Sequence, residues 1–244
     1  MAVNPYQPPA TEIHEKVGTS AGGTLQDGIE GNYDFSITDV LKEAWQKTDG
    51  IKGTFFAVGI VFILITVGIS LIFTVISGMS EGTFLIGLLQ QLIFMVIVYP
   101  FLVGIMMIGV RRSVELPVSF SMAFGYFGYT IPIIIAAFLM SVLTIIGTLL
   151  LIIPGIYLSV AYLLTLPLIV EKNLGAWRAM EASRKAITHH WFKVFFTYFI
   201  MGIIYIISII PLGIGLIWTA PMMVNVGGIL YRIMFGVEEA RIGQ

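Results

Sequence analysis

Residues 54–78 read TFFAVGIVFILITVGISLIFTVISG, with no Lys, Arg, Asp, Glu or His. An apolar helix needs about 20 residues to cross the hydrocarbon core, so this stretch predicts a membrane span. Residues 83–110, 128–170 and 194–230 have the same character. The last two are longer than one crossing. Each is interrupted by a turn, at Gly147 to Gly155 and at Pro211-Leu212-Gly213. Dividing them there predicts spans at about 54–78, 83–110, 128–149, 152–170, 192–211 and 213–232. The expected fold is an all-α integral membrane protein. Its six transmembrane helices form three hairpins, each preceded by an amphipathic helix at the cytoplasmic interface.

The charges orient that bundle. Lys16, Lys42, Lys47 and Lys52 precede the first span, and Arg111 and Arg112 follow the second. Lys172, Arg178, Arg184, Lys185 and Lys193 lie between spans four and five, and Arg232 and Arg241 close the chain. All thirteen Lys and Arg therefore fall on one side. Translocation of Lys and Arg is disfavoured, so both termini are expected in the cytoplasm. A chain that is 57% hydrophobic and 11% charged has too little polar surface for a soluble globule of 244 residues. The absence of Cys excludes disulfides and thiolate metal sites. No cleavable signal is visible in the polar first fifty residues, so span one reads as an uncleaved anchor.

Residues 1–34 read as a disordered cytoplasmic tail, because three prolines and five glycines leave no apolar period to bury. Asn4-Pro5-Tyr6 opens a Pro-rich stretch suited to polyproline II docking or to plain solvation. Ser36 and Asp39 resemble a capping box, with Phe35 stapling onto Val40. Ile37, Val40, Leu41, Ala44 and Trp45 then share one helical face, while Glu43 pairs with Lys47 on another. This helix is expected on the inner leaflet, with Trp45 among the headgroups. Phe120, Phe124 and Phe127 suggest a second such helix. Trp177, Met180, Ile187 and Trp191 suggest a third, with Arg178 and Lys185 on its polar face and Arg184 laid along lipid. Residues 237–244 are left as a short cytoplasmic tail. The spacing P-x-x-V followed eight residues later by Arg occurs at Pro100, Pro167 and Pro221, and predicts three related hairpins with kinks at matching depth.

The runs Pro154-Gly155-Ile156-Tyr157-Leu158, Pro167-Leu168-Ile169-Val170-Glu171 and Ala179-Met180-Glu181-Ala182-Ser183-Arg184 resemble the YciC-like bacterial inner-membrane proteins. They also resemble the membrane domain attached to some glycerophosphodiester phosphodiesterases. The resemblance implies six spans in a bacterial inner membrane. It implies no activity, since no phosphodiesterase domain accompanies it.

Enzyme chemistry finds little footing. His14, His189 and His190 all fall outside the spans, so no embedded base is available to a serine nucleophile. Neither H-E-x-x-H nor a phosphate-cradling G-x-x-x-x-G-K-[ST] loop occurs. No catalytic residue, metal site or cofactor is therefore expected, and no nucleic-acid partner. Gln90, Gln91 and Asn225 are the polar candidates inside the spans. They read either as helix-packing amides or as the lining of a path for a small uncharged solute. The leading expectation is association with membrane lipids through Trp45, Trp177, Arg178, Arg184 and Lys185, or with another membrane protein. Oligomeric state is not legible. Glu171 ends span four beside Lys172 and Asn173. Three polar residues in a row place it at the interface, reachable from the cytoplasm and near Arg111 or Arg178, with Gly175 as the bend.

Overall fold

A computed structural model of the chain describes residues 20–78 and 83–238. It begins with a two-residue strand, β1 (Ser20–Ala21), and two short helices, α1 (Leu25–Glu30) and α2 (Ile37–Gln46). The first hairpin is α3 (Lys52–Gly78) and α4 (Thr83–Ser113). The second is α5 (Thr130–Leu150) followed by α6 (Ile152–Ala161) and α7 (Thr165–Glu171). Helix α8 (Ala176–His189) leads into the third hairpin, α9 (Trp191–Ile209) and α10 (Leu216–Phe235), and β2 (Val237–Glu238) follows. Among the described residues six helices, taking α6 and α7 as one, are long and apolar enough to cross a membrane. The chain is a multi-pass, all-α membrane protein.

Helices α4 and α10 form the spine. A Cβ built on Gly109 would run into the Val224 carbonyl, and one on Gly228 into the Gly109 backbone. Only glycine lets the two backbones approach this closely. Gly155 does the same between α6 and α5, where an added Cβ would lie 2.8 Å from Thr148 Cα. Pro100 and Pro221 sit inside α4 and α10, whereas Pro167 falls in the first turn of α7, where no helical N–H bond is lost. The three prolines therefore do not produce three equivalent kinks.

The first correction concerns the tail. Residues 1–19 lie outside the described residues, the Asn4-Pro5-Tyr6 segment among them. Residues 20–34 are ordered. Thr24 and Asp27 make a complete capping box, and Gly31 closes α1 in the left-handed conformation. β1 pairs with β2 in antiparallel register, Ser20 opposite Glu238, which also draws the start of the expected C-terminal tail into the fold. Gly22, Gly23, Gly28 and Gly31 of that tail are sites of close approach. A Cβ on Gly28 would stand 2.6 Å from the Met234 carbonyl, and one on Gly31 2.5 Å from the His189 ring. Tyr33 then donates to the Ala186 carbonyl at 2.6 Å. Residues 20–35 thus form a strap across the end of the bundle that carries the basic residues, here termed the basic face.

The interfacial helices are also corrected. α2 starts after Ser36 as expected, but Ser36 bonds Thr38 and gives no side-chain cap. Its Val40 and Ala44 are buried against the bundle, and Trp45 stays half exposed. Phe120, Phe124 and Phe127 lie in two 3-10 turns, Phe120–Phe124 and Phe127–Tyr129, rather than on one α-helical face. α8 buries Ala179, Met180, Ala182, Ser183, Ala186 and Ile187. Small side chains at this spacing are poor lipid anchors and good surfaces for close helix packing. The apolar face of α8 therefore turns to protein.

Candidate functional site on the basic face

Glu171 is the last residue of α7, and its side chain is fully enclosed. Asn173 takes a left-handed φ of 52°, a conformation asparagine tolerates, and turns the chain back on itself. The Lys172 ammonium lies 3.3 Å from Glu171 Oε2. Tyr231 of α10 donates its hydroxyl to the same oxygen at 2.5 Å, and the Glu238 N–H donates to Oε1 at 2.9 Å. Lys172 also bonds Glu238 Oε1 at 3.1 Å. Burying a carboxylate costs several kcal/mol unless charge and hydrogen bonds compensate, and here three donors do so. The expectation of an accessible boundary carboxylate is overturned. Glu171 is paired with Lys172 and Tyr231 rather than with Arg111 or Arg178, and the bend is made at Asn173 rather than Gly175.

A second ion pair ties the spine to α2. Arg232 grips Glu43 with both terminal nitrogens, at 2.7 and 2.9 Å, and also bonds the Ser113 carbonyl. Arg112 donates to the Lys47 and Asp49 carbonyls at 3.1 and 2.8 Å, satisfying the end of α2. On the strap, His189 Nε2 meets the Ile29 carbonyl at 3.1 Å and His190 Nε2 meets that of Tyr33 at 2.9 Å. These contacts place a proton on each Nε2. Lys193 pairs with Asp34 and holds that carboxyl below the usual aspartate range, chiefly through the hydrogen bond between them.

Span four is broken at residues 162–164. Ser183 of α8, wholly buried, fills the break: its hydroxyl donates to the Ala161 carbonyl at 2.7 Å and accepts the Leu164 N–H at 3.3 Å. Beside the break lies a cavity of about 190 Å³. Its walls come from Met106 and Val110 of α4, Leu163, Leu164 and Pro167 of span four, Tyr198 of α9, and Met223, Val224 and Gly227 of α10. The Tyr198 hydroxyl is the one polar side-chain group in that wall. The volume slightly exceeds that of an engineered cavity that holds benzene and falls below the range for larger organic ligands.

The residues singled out by sequence are not brought together. Asn225 is buried and donates to the Ala44 carbonyl of α2 at 3.2 Å, while its own oxygen finds no partner. It lies level with Gly109 through the spine contact, about 27 Å along α4 from Gln91. Gln90 is half-buried and Gln91 exposed, and neither lines the cavity. Trp177 and Arg178 are exposed on the outer face of α8, with Lys185 half exposed. Arg184 is bonded to Glu181 at 3.0 and 2.8 Å and holds that carboxyl below its ordinary range. Sequence reasoning missed Ser183, Tyr231 and the Arg232–Glu43 pair. The spacing of Ala179, Ala182, Ser183 and Ala186 was the available signal for the first, since it marks a close-packed helix face. Among the described residues no cluster of three or more His, Asp or Glu could hold a metal ion. Comparison with protein-family models, curated proteins and solved structures gives no match for this chain.

Proposed function

We propose that this polytopic membrane protein is non-catalytic and works by associating with anionic lipid at its basic face. In this reading both termini are cytoplasmic, the membrane is a bacterial inner membrane, and the chain is of the YciC-like kind. The supporting observation is how the charges divide. Glu171 pairs with Lys172 and Arg232 with Glu43 within the bundle, whereas Arg178 and the half-exposed Lys185, which also reaches Glu181 at 3.5 Å, project from α8, as does the exposed Trp177. An exposed cation near an anionic leaflet contributes about 1 kcal/mol, and tryptophan favours the headgroup region. Replacing Arg178 and Lys185 by Ala should therefore weaken retention of phosphatidylglycerol roughly thirty-fold relative to phosphatidylcholine. Native mass spectrometry of protein released from mixed vesicles measures this. Equal retention by the variant and the wild type would refute the proposal.

One observation favours a second reading, a carrier or channel for a small uncharged solute: the apolar cavity at the broken span, with its single tyrosine hydroxyl. Solute flux through proteoliposomes that is lost in Gly227→Leu, but retained when Arg178 and Lys185 are replaced, would select it.

A further inference from the structure

Among the described residues of the first hairpin, Gln91 is an exposed primary amide that lipid does not suit. It is exposed on α4. Large apolar side chains are exposed on both sides of it along the helix: Phe84, Leu85 and Leu88 toward the tip, Leu92 and Val96 toward the basic face. Gln91 therefore lies within the hydrocarbon band and not at its edge. No hydrogen bond to its side chain forms among the described residues. Hydrocarbon offers none, so a lone primary amide there carries an uncompensated desolvation cost.

We propose that α4 is a self-association surface, on which Gln91 of one copy bonds Gln91 of a second copy. Amide chemistry, symmetry and one observation favour this occupant over lipid or an unrelated partner. A primary amide carries two N–H donors and an oxygen acceptor, so a second glutamine complements it completely. Two copies inserted with the same orientation share one two-fold axis along the membrane normal, which brings each residue to its own equivalent at the same depth. Gly87 lies one turn from Gln91 on the same side, and a Cβ built there would meet no atom within 4 Å. By contrast Gly109, on the same helix, is consumed by contact with α10. The open glycine leaves the α4 backbone free for close approach by a second α4. The surface lies far from the lipid-facing edge of α8, so it stands independently of the proposed function.

The test uses the full chain in proteoliposomes of phosphatidylcholine and phosphatidylglycerol. Donor- and acceptor-tagged copies are mixed, and Förster transfer is followed as lipid dilutes the protein. Wild type should show transfer that persists on dilution. Gln91→Leu should lose at least ten-fold in apparent association, and Gln91→Asn should retain most of it. A second measurement locates the contact: the chain has no Cys, so Leu88→Cys supplies the sole thiol, and oxidation should yield a covalent dimer of the 26.9 kDa chain. Wild type that stays monomeric on dilution overturns the proposal. So does transfer undiminished in Gln91→Leu, or a Leu88→Cys chain that stays monomeric on oxidation.

Discussion

Removing the hydroxyl of Tyr231 is the sharpest probe of the buried cluster. Tyr231→Phe keeps the ring, which is fully buried and packs at 5.5 Å on Phe235, and deletes only the donor to Glu171. A hydrogen bond to a charged group contributes about 1.5–3 kcal/mol, and the 2.5 Å contact to an enclosed carboxylate belongs at the upper end. Glu171 would keep the Glu238 N–H and Lys172, so the variant should fold with stability lowered by about 2–3 kcal/mol. Glu171→Leu should cost more, about 3–5 kcal/mol, because it removes one carboxylate from the Lys172 ammonium and the acceptor used by both the Tyr231 hydroxyl and the Glu238 N–H. Combining the two substitutions should cost less than their sum, since Tyr231→Phe has no carboxylate left to lose. Equilibrium unfolding in mixed detergent micelles reads all three variants. A Tyr231→Phe cost below about 0.5 kcal/mol, or strict additivity with Glu171→Leu, would show that the carboxylate is not held as described.

Two further perturbations test other parts of the fold. Gly228→Ala should force α4 and α10 apart at Gly109 and destabilise by about 1–3 kcal/mol, measured in the same micelles, while Gly53→Ala, which meets nothing within 4 Å, should not destabilise. The Asp34–Lys193 pair should make the melting temperature acid-sensitive. Its carboxyl is depressed in the folded state, so its stabilisation is fully present above the unfolded aspartate value of about 4 and is lost as pH falls from there through the lower folded-state value. Asp34→Asn should therefore melt earlier than wild type at pH 7, and the gap should narrow as the pH is taken below about 4.

The spans were legible because a long uncharged apolar run has few physical destinies. The interior of the basic face was not, and Glu171 shows why. The cost of burying a carboxylate can be estimated from its neighbours in sequence, but the donors that offset it come from Tyr231 and the Glu238 backbone, more than fifty positions away. Glycine misled in the same way. Gly22, Gly28 and Gly31 have a disordered composition until Arg232, Met234 and His189 are placed against them. α8 carried a readable amphipathic pattern whose apolar face was assigned to lipid, although its alanines fit a protein surface better. Asn225 reads from sequence either as a packing amide or as pathway lining, and the partner of its amide N–H is the α2 backbone, which local sequence does not reveal.

Everything proposed for the basic face requires that it lie on one side of the membrane and the hairpin tips on the other. Single-cysteine variants settle this in a chain that has no Cys of its own. Lys185→Cys replaces a half-exposed residue of α8, and Leu212→Cys replaces the 96% exposed residue at the tip of the third hairpin. A membrane-impermeant maleimide should label position 185 only in inside-out vesicles and position 212 only in intact spheroplasts, with Glu171→Cys protected in both. Labelling of 185 and 212 from the same side would contradict the architecture, and rapid labelling at 171 alongside 185 would contradict the enclosed carboxylate.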